Sequence, residues 1–148
     1  NLRDRQGLAY TVRAAIASSA GNQPGTFEGY IGTRPDAYLK VRDGFFAEVK
    51  TIRDTLATKE EVEDAKQYLL GSLPFKFTTL ADVAGQLLIA ERYGLGFDFL
   101  EKFEKEVAAV TPTDIQKMAQ TYLNPGTMAI IAVGAIDQEG KPLTPPKK

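Results

Sequence analysis

A change of period restricts the fold of this sequence more than any other feature. Apolar residues recur at every second position up to Thr33 and then with helical spacing as far as Asn124. Leu8, Tyr10, Val12, Ala14 and Ile16 alternate within a stretch rich in β-branched and small residues, the pattern of one strand face. Gly21-Asn22-Gln23-Pro24-Gly25 is a dense turn signal. Beyond it Phe27, Gly29, Ile31 and Thr33 alternate again, so an antiparallel hairpin is predicted. Ahead of it, the first residues read as the last turn of a helix closed by Gly7.

The helical part is well punctuated. Thr33-Arg34-Pro35-Asp36 predicts a helix start with Thr33 as N-cap. Tyr38, Leu39, Phe45, Phe46, Val49, Ile52 and Leu56 form its apolar stripe. Thr58-Lys59-Glu60-Glu61 has the form of a capping box, opening a helix that turns Val62, Ala65, Leu69 and Leu73 inward until Pro74 interrupts it. Further helices are predicted from Thr79 to Tyr93, stopped by Gly94, and from Phe97 to Val110. The last starts at Thr111-Pro112-Thr113-Asp114, with Pro in the first turn, and stops at Asn124-Pro125-Gly126. Met128 to Val133 is an unbroken apolar run of the length of a buried strand.

Hairpin, helices, strand is the order of an α+β fold of two layers, an antiparallel or mixed sheet with helices packed on one face. A hairpin and one strand make a thin sheet, so at least one further strand is expected upstream. The opening Asn1-Leu2-Arg3-Asp4-Arg5 is neither a start methionine nor a signal peptide, and the expectation is a piece of a longer polypeptide. Residues 1–136 are expected to form a single domain, and residues 137–148, where Gly, Pro and Lys accumulate, a mobile tail.

Composition narrows the chemistry. The 148 residues are 43% hydrophobic and 25% charged, with 18 Lys and Arg against 19 Asp and Glu and a net charge of −1. No overall field draws a phosphate backbone or an anionic membrane, and no apolar run spans a bilayer, so neither nucleic acid nor a membrane span is expected. Cysteine and histidine are both absent. Serine-triad, cysteine–histidine and zinc–histidine mechanisms are thereby excluded within this chain, and carboxylates alone favour Mg²⁺ or Ca²⁺ over Zn²⁺.

The stretch Leu2-Arg3-Asp4-Arg5-Gln6-Gly7-Leu8-Ala9-Tyr10 resembles the helix-to-strand junction in the second homologous domain of the pitrilysin/insulinase family of zinc metallopeptidases. Pro24-Gly25-Thr26-Phe27, Thr58-Lys59-Glu60-Glu61 with Ala65-Lys66, Val110 to Ile115 and Ile131-Ala132-Val133-Gly134 continue the resemblance in the same order up to about Gly134. It implies a half of the type found in pitrilysin and the mitochondrial processing peptidases. In that family a first domain carries His-x-x-Glu-His and a distal Glu on zinc, and the metal activates a water. The second domain shares the fold without the ligands and closes with the first around an extended peptide. A chain without histidine matches the second. The implied partners are a zinc-binding catalytic domain or subunit and an extended peptide substrate, with no cofactor in this chain. The resemblance also carries an Arg and a Tyr seven positions apart, which fall on Arg3 and Tyr10. Their implied role is to hold substrate backbone and support the tetrahedral intermediate, work suited to a guanidinium and a phenol.

Bland readings stand beside these. Tyr10 alternates with Leu8, Val12 and Ile16, so a core tyrosine fits equally unless the reversal at Gly7 moves the strand by one residue and flips its face. Arg3 alone reads as a solvated helix-end cation. Glu60, Glu61, Glu63 and Asp64 suit helix capping and solubility, and Glu101, Lys102, Glu104 and Lys105 suit a solvated helix face. Gly29 and Gly32 fit either a bulge or the close approach of another backbone. Phe45-Phe46 reads as core. Two functions remain: the non-catalytic, substrate-clamping half of a zinc endopeptidase, or an inactive structural or assembly subunit of the same fold. A soluble bacterial protein, the periplasm included, is the expected setting.

Overall fold

The computed structural model describes residues 7–16 and 24–143. Its architecture is α+β, with a two-stranded antiparallel sheet and five α-helices. Strand β1 runs Ala9–Ile16 and β2 runs Phe27–Thr33. The helices are α1 (Tyr38–Asp54), α2 (Lys59–Ser72), α3 (Leu80–Arg92), α4 (Phe99–Ala109) and α5 (Pro112–Tyr122). They fall into two compact units, residues 1–54 with 119–148, and residues 55–118.

The first unit contains the hairpin. Val12 pairs with Ile31, Ala14 with Gly29 and Ile16 with Phe27, so these residues share one face. Helix α1 packs on that face. A Cβ built on Gly29 would lie 2.9 Å from the Phe45 ring, closer than carbon atoms approach, so glycine lets helix and strand meet there without displacing the ring. Val41 and Val49, one helical turn before and after Phe45, are buried, while Phe45 and Phe46 meet edge to face at 5.6 Å and remain half-covered. The sequence stripe omitted Val41 and included Ile52 and Leu56, which are exposed.

Thr33 differs from its expected role. It is the last residue of β2, paired with Ala9, and its hydroxyl donates to the Leu8 carbonyl instead of capping a helix. Pro35 holds Arg34 in extended backbone (φ −78°, ψ 151°), and a short 3-10 turn, Pro35–Ala37, leads into α1. At the other end of α1, Arg53 donates from Nη1 to the Leu123 carbonyl at 2.6 Å, and Gln120 Nε2 donates back to the Arg53 carbonyl at 2.8 Å. A guanidinium at the C-terminal end of α5 meets both its free carbonyls and the negative end of its dipole.

Met128 to Val133 corrects a sequence expectation. The run joins no strand ladder among the described residues, and it is not buried: Ile131 is 89% and Val133 95% exposed. A strand exists only through a neighbour that takes its backbone hydrogen bonds, and no described segment offers one. After it, residues 137–143 form a turn held by Asp137, whose carboxylate accepts the backbone N–H groups of Glu139 and Lys141 at 2.9 and 2.8 Å, with an isolated bridge from Ile136 to Pro142.

The second unit is helical, and its ends follow the sequence signals. Thr58 and Glu61 form the reciprocal capping box of α2, Thr58 Oγ1 accepting from the Glu61 amide at 3.1 Å and a Glu61 carboxylate oxygen from the Thr58 amide at 2.9 Å. Thr79 with Asp82 does the same for α3. Pro74 ends α2 at Ser72, and the chain continues as a 3-10 turn, Leu73–Phe77. Lys66 on α2 bonds Glu63 and the Ala108 carbonyl near the end of α4, tying those two helices. Val62 is buried as predicted, but Ala65 and Leu69 are exposed. No helix among the described residues is long and apolar enough to cross a membrane.

Candidate functional site

Tyr10 reaches the surface through a defect in the hairpin. Gly7 has φ +60°, the left-handed conformation that turns the chain into β1. The next residues are pinned: Leu8 by the Thr33 hydroxyl, Ala9 by burial and by pairing with Thr33. The register then slips, for Thr11 pairs with Gly32, so two residues of β1 are spent against one of β2 and Tyr10 is the extra one. Because of this bulge Tyr10 drops out of the alternation that carries Val12, Ala14 and Ile16 onto the α1 side. It is 69% exposed. The core reading of Tyr10, drawn from strict alternation, does not hold: the residue is the extra one at the bulge and its side chain is mostly exposed.

Arg3 lies outside the described residues, as do the turn residues Gly21, Asn22 and Gln23. The remaining sequence candidates resolve into structural roles. Glu61 serves the α2 capping box and Glu63 pairs with Lys66 at 2.8 Å, so two of the four acidic residues have capping or ion-pairing roles. Among the described residues no group of three or more acidic side chains is placed to hold a metal ion, and the chain has no His or Cys. A zinc ion therefore does not fit the donor set of this chain. Lys102 pairs with Asp98 at 2.8 Å on an exposed helix face. Gly29 is settled by the Phe45 ring packed against it.

Carboxylates with lowered pKa also lie at helix starts. The Thr79 hydroxyl, then that of Thr78, holds Asp82 below its ordinary value, and the Thr111 hydroxyl does so for Asp114. Asp98 is lowered chiefly by its hydrogen bond from Lys102. These groups stabilise helix ends and are not poised for proton transfer. A shallow groove of about 250 Å³ behind α3, lined by Ala90, Glu91, Gly94, Gly96 and Phe97, offers a single ionisable side chain.

Sequence reasoning missed the second exposed aromatic of the hairpin. Tyr30 pairs with Arg13 and is 63% exposed on the face turned away from α1. The signal was present in the parity of β2, since Glu28, Tyr30 and Gly32 alternate with the helix-facing Gly29 and Ile31. The candidate residues among those described are thus Tyr10 at the bulge and, on the helix-free face, Tyr30 with Arg13 and Thr11 on β1. Phenols and a guanidinium are donors for carbonyl or developing oxyanion oxygens.

Known proteins resemble this chain in sequence over its first part and in fold over most of its length. The family model described as "Peptidase M16 inactive domain" matches residues 1–69. Among solved structures, a protease from Helicobacter pylori is similar at a TM-score of 0.70 and 16% identity, over 84% of this chain and 30% of that one. The peptidase M16 inactive domain from Pseudomonas fluorescens is similar at a TM-score of 0.62 and 27% identity, over 83% of this chain and 29% of that one. The chain therefore spans about a third or less of the length of either neighbour. No curated protein matches it. Residues 1–69, just under half of the chain, thus match the model of an M16 peptidase inactive domain, and the fold of most of the chain is shared with two solved proteins, one of them an M16 inactive domain.

Proposed function

We propose that this chain is the non-catalytic, substrate-clamping half of a zinc-dependent endopeptidase. It closes over an extended peptide and completes the active site of a domain that carries His-x-x-Glu-His. The observation that carries the reading is Tyr10: a chain that matches the inactive-domain model lifts this tyrosine out of strand alternation and into solvent. Zinc held by the His-x-x-Glu-His of the partner half would supply the activated water. The part of this chain is to orient and to donate. The Tyr10 hydroxyl, with the Arg3 guanidinium ahead of it in sequence, supplies hydrogen bonds to the carbonyl oxygen of the scissile peptide as charge grows on it. A donor on a rigid strand, anchored on one side by Thr33 and on the other by the ladder, needs little reorganisation at that moment.

The test is made on the protease assembled from both halves. Tyr10→Phe removes one donor and keeps the ring, so kcat should fall by about 10²-fold, the usual cost of one oxyanion donor. Arg3→Ala should also lower turnover with folding retained. Peptide cleavage at the parent rate by both variants refutes the assignment. The chain on its own should hold no stoichiometric zinc, and elemental analysis finding one tightly bound zinc per chain would contradict the division of labour.

A further inference from the structure

Tyr30 stands beside the Tyr10 bulge. Thr11, the second residue of the bulge, pairs with Gly32, and Arg13 pairs with Tyr30. A Cβ built on Gly32 would lie 3.7 Å from the Tyr30 hydroxyl oxygen, 3.8 Å from its Cε1 and 3.7 Å from the Thr11 Cβ. The Tyr30 side chain therefore lies along β2, over the bare backbone of Gly32, with its hydroxyl brought back towards the bulge that exposes Tyr10. The ring is not core, since it is 63% exposed and α1 packs against the opposite face at Gly29. Gly32 leaves the floor under that ring open. A branched side chain there would meet it.

We infer that Tyr30 is a second peptide-contacting residue of the site that Tyr10 belongs to, its hydroxyl binding the main chain of an extended peptide laid across the bulge. The inference rests on the substrate-clamping reading proposed above. A phenol hydroxyl donates one hydrogen bond and accepts another, so it suits either the N–H or the C=O of a peptide unit and sets no demand on sequence. Its place beside the bulge, and not on it, makes Tyr30 a binding group for the ground state, whereas Tyr10 acts on the reacting carbonyl. The two tyrosines then divide between affinity and turnover.

The experiment compares Tyr10→Phe, Tyr30→Phe, Tyr30→Ala and Gly32→Val in the assembled protease, with an unfolded peptide substrate and separate determination of kcat and KM. Loss of one hydrogen bond made equally in ground and transition states raises KM by about fivefold and leaves kcat within about twofold, and this is expected of Tyr30→Phe. Tyr30→Ala should raise KM at least as far. Gly32→Val, by displacing the ring, should imitate it. If Tyr10→Phe slows turnover while Tyr30→Phe and Tyr30→Ala keep the parent KM, the inference on Tyr30 fails and the clamping reading stands. If Tyr10→Phe and the Tyr30 variants all behave as the parent, the clamping reading fails and takes the inference with it. A photoreactive phenylalanine at position 30 gives a readout that a purely structural role would not produce. It should crosslink to labelled peptide, and crosslinks confined to the protease's own chain overturn the inference.

Discussion

Replacing Gly29 by alanine tests how helix and hairpin meet, and here the sign of the effect is informative as well as its size. In an open strand, Gly→Ala stabilises by about 0.5–1 kcal/mol, because glycine loses more backbone freedom on folding. At position 29 the added methyl would lie 2.9 Å from Phe45 Cε2 and 3.2 Å from its Cζ, against an ordinary carbon contact of about 3.5–4.0 Å. The ring must retreat by more than half an ångström on the order of that contact deficit, and its edge-to-face contact with Phe46 resists the movement. Overpacking of this kind costs about 1–3 kcal/mol, so the net loss after the backbone gain is roughly 1 kcal/mol. Native-state hydrogen exchange at the β1 amides bonded across to β2 reports the hairpin, and 1 kcal/mol there is about fivefold faster exchange. Gly32→Ala is the control, since its methyl meets neighbours at 3.7 Å, an ordinary contact, and exchange should slow. In a Phe45→Leu background the overpacking cost should largely vanish and leave the backbone gain, a coupling of about 1–3 kcal/mol. If Gly29→Ala slows exchange as Gly32→Ala does, or costs the same in both backgrounds, α1 does not rest on this face in the manner described.

Three further outcomes are expected. Thr79→Ala should destabilise α3 by about 1 kcal/mol through loss of its capping box, seen as faster exchange of the first-turn amides, and Thr79→Ser should recover most of it. Asp82 and Asp114 are held below their ordinary value of 3.8 in the folded chain, so their contribution is complete above that value and is lost as pH falls through the lower folded-state value. Helical circular dichroism followed downward from pH 5 should therefore hold until below 3.8, and Asp82→Asn with Asp114→Asn should remove that acid-dependent part. Arg53→Met keeps the stem and removes the bonds to Leu123 and Gln120, costing about 1.5–3 kcal/mol for a charged donor, read as faster exchange near the end of α5.

Helix ends were legible in the sequence because their causes are local. Thr58 with Glu61, Thr79 with Asp82 and Thr111 with Asp114 are three residues apart; the first closes the box read from the sequence, and the other two close at helix starts read there without a box. The hairpin was legible for the same reason, as a two-residue period on both sides of a turn. What failed depended on partners distant in sequence. Thr33 reads as a helix cap until the Leu8 carbonyl, reached only through strand pairing, takes its hydroxyl. Tyr10 reads as core until the register slips by one residue, a property of both strands together that no window along β1 contains. Val41 was overlooked and Leu69 overcounted because helical spacing marks an apolar side of a helix without saying which part of it another element covers.

The uncovered run at Met128–Val133 also governs how this polypeptide behaves at the bench. From Met118 to Ile136 there is no charged side chain, and the six residues from Met128 contain neither proline nor glycine. Such a ribbon, paired with no other strand among the described residues, is the sequence type from which cross-β stacks are seeded, and no gatekeeper lysine or glutamate stands within it. Turbidity on concentrating the chain should rise steeply with protein concentration, and Ile131→Lys, a charge placed where no side chain is packed, should suppress it without loss of helix.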